Sequence, residues 1–303
     1  MTQSAAPQFP VPVTPGYDGA GVVDAVGDGV TGLAVGDACL FMPQHGCFAT
    51  HLVLPTRLVV KVDAAQLAKA TPEKAACVSL TGVTAYQMLH RVAGKARLEH
   101  PGAAVLVHGA AGGTGAMLVS LAKLAGVQNV YGTCSARNMD AVRAAGATAI
   151  DYATDWQAEV LRLTSGRGVD AVHDAIVAGG YLSKGLACTA KGGIYIAYGF
   201  TDSKNPGMFN FGVIIPAMIR NSVKNAWSCI DGRSAVFYNV ATDRDARPHE
   251  YAADARALLA LTADGKLDPN VGKVWPLEQG KDALLAVEAG THRGKQVVRV
   301  SSS

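Results

Sequence analysis

Ala104-Val-Leu-Val-His-Gly-Ala-Ala-Gly-Gly-Thr-Gly-Ala-Met117 is the stretch on which the fold turns. The apolar, β-branched run at 104–107 predicts a strand buried on both faces, as in a parallel sheet. It breaks into a glycine turn, Gly109-Ala110-Ala111-Gly112-Gly113-Thr114-Gly115. A helix is predicted directly after it, with Met117, Leu118, Leu121, Leu124 and Ala125 at helical spacing along one face. Strand, glycine turn and helix in that order are what a dinucleotide pyrophosphate requires. Glycines let backbone N–H groups approach the phosphates, and the helix N-terminus adds partial positive charge. On this reading Gly112 and Gly115 keep clear the space that the pyrophosphate fills. The glycine spacing is looser than the usual fingerprint. A nucleoside-triphosphate loop would need Lys-Ser or Lys-Thr after the last glycine, and Ala116-Met117 stand there instead. A purely structural strand-to-helix turn is the alternative against which the rest of the chain is weighed.

Outward from this stretch, strands and helices alternate with regularity. Strands are predicted at 104–108, 129–134, 148–152, 170–176 and 192–199, and helices at 114–126, 137–145, 155–164 and 180–190. Gly126 and Gly146 fall where helix C-caps belong. The alternation predicts an α/β fold with a doubly wound parallel sheet of Rossmann type.

The flanking regions differ. Residues 15–62 carry short apolar runs at 21–26, 36–41, 48–54 and 58–62 between glycines, the spacing of a small β-barrel or sandwich. Gly16, Gly19 and Gly21 imitate a nucleotide fingerprint, but a strand follows them, so they read as turn and close-packing glycines. Thr71 and Pro72 suit the N-cap and first turn of a helix over 72–92, bent or broken at Gly82. Residues 207–240 show no clear period. A helix at 249–264, a strand at 271–275, a helix at 277–290 and a strand at 296–300 close the chain. The expected division is a first part of the β domain at 1–80, a nucleotide domain at 81–238, and a return to the β domain at 239–303.

Composition narrows the class. The 303 residues are 49% hydrophobic and 17% charged, with a net charge of +3. That is a core-rich globular chain with no electrostatic footprint for nucleic acid. No uninterrupted apolar run of ~18 residues predicts a membrane span. The N-terminal residues lack the apolar core of a signal peptide. Cys39, Cys47, Cys77, Cys134, Cys188 and Cys229 are scattered without a Cys-x-x-Cys, so neither a zinc site nor a disulfide framework is read from them. Reduced thiols and a cytoplasmic location are the expectation.

Three blocks in order carry a specific resemblance: Pro15-Gly-Tyr-Asp-Gly-Ala-Gly-Val-Val with Val35-Gly-Asp after it, Thr81-Gly-Val-Thr-Ala-Tyr86, and Val105-Leu-Val-His-Gly-Ala-Ala-Gly-Gly-Thr-Gly115. With the closing Val274-Trp-Pro-Leu and Gly294-Lys-Gln-Val-Val, the chain resembles the medium-chain dehydrogenase/reductase superfamily over nearly all its length. Within it the chain looks like the zinc-independent quinone oxidoreductase branch. The resemblance implies a Rossmann domain beside a GroES-like β-barrel domain. Zinc-dependent members carry His-Glu where Tyr17-Asp18 stand here, and the cysteine-rich structural-zinc loop has no counterpart, so no metal is expected. About 45–60 residues precede the Pro-Gly block in the family. Fourteen do so here, so either the natural protein has a shortened barrel or this sequence begins late.

Cofactor choice is expected to be set at Gly132-Thr-Cys-Ser135-Ala-Arg137-Asn138. An NAD site places Asp or Glu there for the ribose 2′-hydroxyl, and none occurs before Asp140. Ser135, Arg137 and Tyr152 suit a 2′-phosphate instead, which points to NADP(H). The resemblance supports the Tyr152 contact, although the family's usual lysine is Asn138 here. Arg137 also reads as a plain solvated residue at a helix start. Gly199 resembles the family turn beside the nicotinamide, or is simply a strand-ending glycine. Thr84 and Tyr86 resemble residues near the nicotinamide or substrate, or merely pack. Gln44, His45 and Phe48 lie in a barrel loop expected to face a small-molecule substrate. His45 taken alone is as readily an exposed or structural histidine. His108 is expected to hydrogen-bond locally, and Cys47 has no paired base in the sequence.

No Ser/His/Asp set, carboxylate pair or metal cluster emerges, which suits hydride transfer, where the cofactor carries the chemistry. The expected activity is NADPH-dependent reduction of a quinone or α,β-unsaturated carbonyl, with the proton drawn from water or from a hydroxyl such as that of Tyr17. The alternatives are a nucleotide-binding protein without redox turnover and a natural-product enzyme reusing the fold. A homodimer joined through segment 207–231 is implied by the resemblance.

Overall fold

A computed structural model describes residues 12–199, 232–290 and 292–300. The chain divides into two compact units, Met1–Thr84 with Val240–Ser303, and Ala85–Asn239.

In the first unit β1 (Gly19–Val22), β2 (Ala38–Phe41) and β3 (Val59–Lys61) form an antiparallel sheet in that order. Its glycines are packing residues. A Cβ on Gly19 would stand 2.6 Å from the Phe41 ring, and one on Gly16 would stand 2.7 Å from both the ring and the amide of Phe48. The strand predicted at 48–54 does not form. Residues 46–48 instead donate backbone bonds to Thr14, Pro15 and Gly16, with Phe48 N to Pro15 O at 2.9 Å. Pro15 has no N–H to return and Gly16 sits at φ +96°, so no ladder propagates. Asp63 caps the helix Ala64–Ala70 by accepting Gln66 N–H at 2.8 Å. Thr71 likewise caps Pro72–Ala76. At Gly82, where a bend or a break is expected, the chain runs on without a break but changes its winding. Val78–Gly82 and Met88–Gly94 are wound as π-helical turns on either side of the α-helical Val83–Gln87.

The second unit is a six-stranded sheet of β4 (Ala104–His108), β5 (Asn129–Cys134), β6 (Thr148–Asp151), β7 (Val169–Asp174), β8 (Thr189–Ala197) and β9 (Ser234–Phe237). The order is β6-β5-β4-β7-β8-β9, and every pairing is parallel. This is the doubly wound order, with its topological switch between β4 and β7. Leu106, Tyr131, Val172 and Tyr195 share one face with Trp156 and Val160 of the helix Trp156–Leu163 and with Tyr181 and Leu182 of Tyr181–Ala187. Gly132 points to the other face, where its missing Cβ admits Ala110 and Val142 of the helix Met139–Ala144. β9 was not foreseen. It is an edge strand of four residues with partly exposed side chains, and so lacks the continuous apolar run of a central strand.

The chain then returns to the first unit. The helix Val240–Ala246 was not foreseen either, because its buried face mixes Asp243 and Arg244 with Val240 and Ala241 and so shows no apolar stripe. Pro248–Ala263 follows and packs on Ala64–Ala70. β10 (Val271–Pro276) and β11 (Lys295–Arg299) pair in parallel around the helix Gly280–Glu288.

Candidate functional site

β4 ends at His108, and Gly109 turns the chain at φ +70°, with open space where a side chain would stand. Gly112 N–H closes the turn on Gly109 O at 2.9 Å. The helix Gly113–Leu124 starts there with Gly112 as its N-cap and no side-chain cap bond. Its first N–H groups are therefore left for an anion. Gly112 is exposed, while Ala111, Gly113 and Thr114 are half-buried beside it. Gly112 and Gly115 differ in what surrounds them. A Cβ on Gly115 would lie 2.2 Å from Gly109 O and 2.9 Å from Ala110 Cα. Gly115 is thus required by the wrap of the turn itself, a constraint that holds before any pyrophosphate is considered. A Cβ on Gly112 meets only Gly109 O, at 3.2 Å. With a left-handed Gly109, a bare outward Gly112 and an uncapped twelve-residue helix, these residues fit a pyrophosphate.

The ends of β5 and β6 lie side by side, with Cys134 opposite Asp151 in register. Tyr152 N–H donates to Cys134 O at 3.0 Å. Ser135 precedes the short helical turn Ala136–Asn138, on which Arg137 is exposed. Ser135, Arg137 and Tyr152 are therefore brought to neighbouring strand ends. Nearby carboxylates are engaged locally: Asp140 pairs with Arg143 at 2.9 Å, and Asp151 accepts Ala153 N–H at 3.0 Å.

At the ends of β7 and β8, Tyr198 N–H bonds Asp174 O at 3.0 Å. A Cβ on Gly199 would stand 2.9 Å from Ala175 O, so Gly199 permits close approach of two backbones and is more than a strand terminator. Asp174 itself, fully buried, was not singled out from the sequence. His108 does bond locally, Nδ1 to Thr133 Oγ1 at 2.9 Å. Its Nε2 has no partner among the described residues, and burial pushes its pKa down to about 4.

In the first unit, Gln44 Nε2 donates to Tyr17 Oη at 3.0 Å. Gln44 holds φ +79°, an uncommon conformation for a residue with a side chain. His45 is exposed. Phe48 packs against Gly16 and also lies 3.1 Å from the position of a Cβ on Gly280. Thr84 is buried, with its hydroxyl lacking a partner among the described residues. In the second unit, the Tyr86 ring lies tilted against His90, with ring centroids 4.4 Å apart.

The residues at the zinc-ligand position do not fit a metal. Asp18 is committed to Lys295 at 3.1 Å and to Leu80 N–H at 3.2 Å. Burial works to lower the Lys295 pKa, but Asp18, together with Cys77 and Cys47, offsets it and the net shift is upward. Burial also pushes the Cys47 and Cys77 thiols up to about 12, away from the thiolate a metal needs. Among the described residues no group of three or more His, Cys, Asp or Glu is placed to hold an ion. No helix among them is long and apolar enough to cross a membrane.

Comparison with known proteins agrees with this architecture. Residues 1–64 match the model of the alcohol dehydrogenase GroES-like domain, and residues 145–298 match that of the zinc-binding dehydrogenases. The human synaptic vesicle membrane protein VAT-1 homolog is 30% identical over 287 residues, covering 94% of this chain and 71% of that protein. The quinone oxidoreductase of Pseudomonas syringae pv. Tomato DC3000 superposes with a TM-score of 0.76 at 27% identity, over 96% of this chain and 84% of that one. The CurF ER cyclopropanase of the curacin A biosynthetic pathway gives a TM-score of 0.76 at 26% identity, over 95% and 79%. With the glycine turn, the switch point and the matched domains together, the chain belongs to the medium-chain dehydrogenase/reductase superfamily of oxidoreductases, in its quinone oxidoreductase-like branch.

Proposed function

We propose that the chain is an NADPH-dependent oxidoreductase acting on a quinone or an α,β-unsaturated carbonyl compound, without zinc. The observation that carries the cofactor choice is the convergence of Ser135, Arg137 and Tyr152 at adjacent strand ends, with Cys134 rather than a carboxylate closing β5. The turn Gly109–Gly115 and the N-terminus of Gly113–Leu124 would hold the pyrophosphate. When bound, the nicotinamide supplies the hydride.

The protein's own part is to orient and to provide a proton. Gln44 donates to Tyr17 Oη, which leaves the Tyr17 proton directed away from Gln44 and available to a substrate oxygen. Thr84, His45, Phe48 and Tyr86 are proposed as residues flanking the substrate, and Gly199 as a residue beside the nicotinamide. The likeness to a quinone oxidoreductase supports this class of acceptor. The Asp18–Lys295 pair and the raised thiols support a reaction without metal. Assembly is proposed as a C2 homodimer. The segment 207–231 lies outside the described residues, and β9, which follows it in the chain, is an edge strand of the sheet. NADPH oxidation measured with 1,4-quinones and with 2-alkenals tests the activity. NADPH binding without turnover on either class would favour the non-redox alternative.

A further inference from the structure

The loop after β7, residues 175–180, holds a β-branched residue in a conformation such residues avoid. Val177 is buried at φ +61°. Ala178 N–H donates to Ile176 O at 2.6 Å, closing a three-residue turn around it, the rare γ-turn of positive φ. Gly179 and Gly180 follow at φ +62° and +89°. Such strain persists only where the surroundings over-determine it. Here Asp174 does so. One of its oxygens accepts Ile176 N–H at 2.7 Å and Val177 N–H at 3.2 Å, and the other accepts the Tyr195 phenol.

The location gives this lock a purpose. The glycine turn after β4 marks the pyrophosphate, and Ser135, Arg137 and Tyr152 mark the adenosine end over β5 and β6. A dinucleotide laid across the switch point must run the other way from the pyrophosphate, over the ends of β7 and β8. Residues 175–178 form that edge, with Ala175 against Gly199. We propose that Asp174 is a positioning residue for the cofactor. By pinning the turn at Val177 it sets the backbone edge that receives the nicotinamide half. This rests on the dinucleotide reading above.

If the unpinned loop spends about a tenth of its time in the receiving form, affinity for the nicotinamide half falls about ten-fold. The test titrates wild type, Asp174→Ala and Tyr195→Phe with NADPH and with 2′-phospho-ADP-ribose, which lacks nicotinamide. Asp174→Ala should weaken NADPH about ten-fold and leave 2′-phospho-ADP-ribose within about two-fold. Adding Val177→Gly, which removes the strain, should recover much of the loss. Tyr195→Phe, expected to fold normally, should move NADPH alone in the same direction by a smaller factor, and carries the test if Asp174→Ala does not fold. Equal losses for both ligands, or no loss in either variant, overturns the proposal while the dinucleotide reading stands. Failure of wild type to bind 2′-phospho-ADP-ribose overturns both.

Discussion

His108 and His173 make the nucleotide unit sensitive to mild acid. Both are fully buried. His108 packs edge-on against Trp156 and Tyr181 at 4.6 and 4.8 Å, with only Nδ1 bonded. His173 has neither ring nitrogen partnered among the described residues and faces the same side of the sheet as Val107 and Ile196, its register neighbours. Burial depresses their pKa values from 6.5 to about 4 and about 3. For His108, nearby Asp174 opposes that shift without cancelling it.

Between these folded values and 6.5 the unfolded chain binds the extra protons, so stability rises with pH and is lost on acidification below 6.5. Each histidine then contributes about 1.4 kcal/mol per pH unit, or about 2 kcal/mol between pH 7 and pH 5. Together they remove about 4 kcal/mol, a large part of an ordinary domain's stability. Urea unfolding at pH 7, 6 and 5 and fixed ionic strength reads this. Hydrogen exchange of the β4 and β7 amides reports the second unit separately. His173→Leu should halve the histidine part of the slope and, by removing unpaired buried nitrogens, raise stability at pH 7 by about 1 kcal/mol. An unchanged slope in His173→Leu, or a folded-state imidazole titrating near 6.5 by NMR, would refute the reasoning.

Arg137→Ala should weaken NADPH about ten- to a hundred-fold and leave NADH nearly unchanged, because a charge-assisted contact contributes about 1.5–3 kcal/mol; calorimetry with both cofactors decides. Gly115→Ala should destabilise the second unit by about 1–3 kcal/mol in thermal unfolding, since its methyl overlaps Gly109 O, while Gly112→Ala should stay folded and lose only cofactor affinity. Lys295→Met should cost about 3–5 kcal/mol by leaving Asp18 buried and unpaired, and Asp18→Asn in the same chain should recover most of it. Sedimentation should show a dimer, and a monomer at all concentrations would reject the assembly proposed.

The central sheet was legible because its signal is local. β4 to β8 are short, largely apolar runs, β4 and β8 with a glycine just past their ends, and each falls within about three residues of its place in the structure. What sequence reasoning missed or misplaced depends on partners elsewhere. The run at 48–54 has the composition of a strand, but its neighbour is Pro15-Gly16, which cannot sustain a ladder. The helix Val240–Ala246 buries a guanidinium that reaches Met42 O, two hundred residues away, so its inward face does not look apolar. Its signal exists only once the contact is known.

The same division runs through the site. The glycine turn and the β5 end, proposed to hold the pyrophosphate and the 2′-phosphate, each occupy one short stretch, so residue type and order suffice to propose them. Asp174 reads in the sequence as one more polar residue at the end of a strand. Its role depends on Tyr195 lying on the adjacent strand and on Val177 being left-handed, and neither is a property of composition. Asp18 is similar: its partner Lys295 is 277 residues distant. Position 18 was readable as something other than a metal-site glutamate, but what holds its charge was not. Long-range pairing converts ordinary acids into a lock at the cofactor edge and an ion pair in the β unit. The residues that bind by backbone are therefore visible in one dimension, and those that position them are visible only in three.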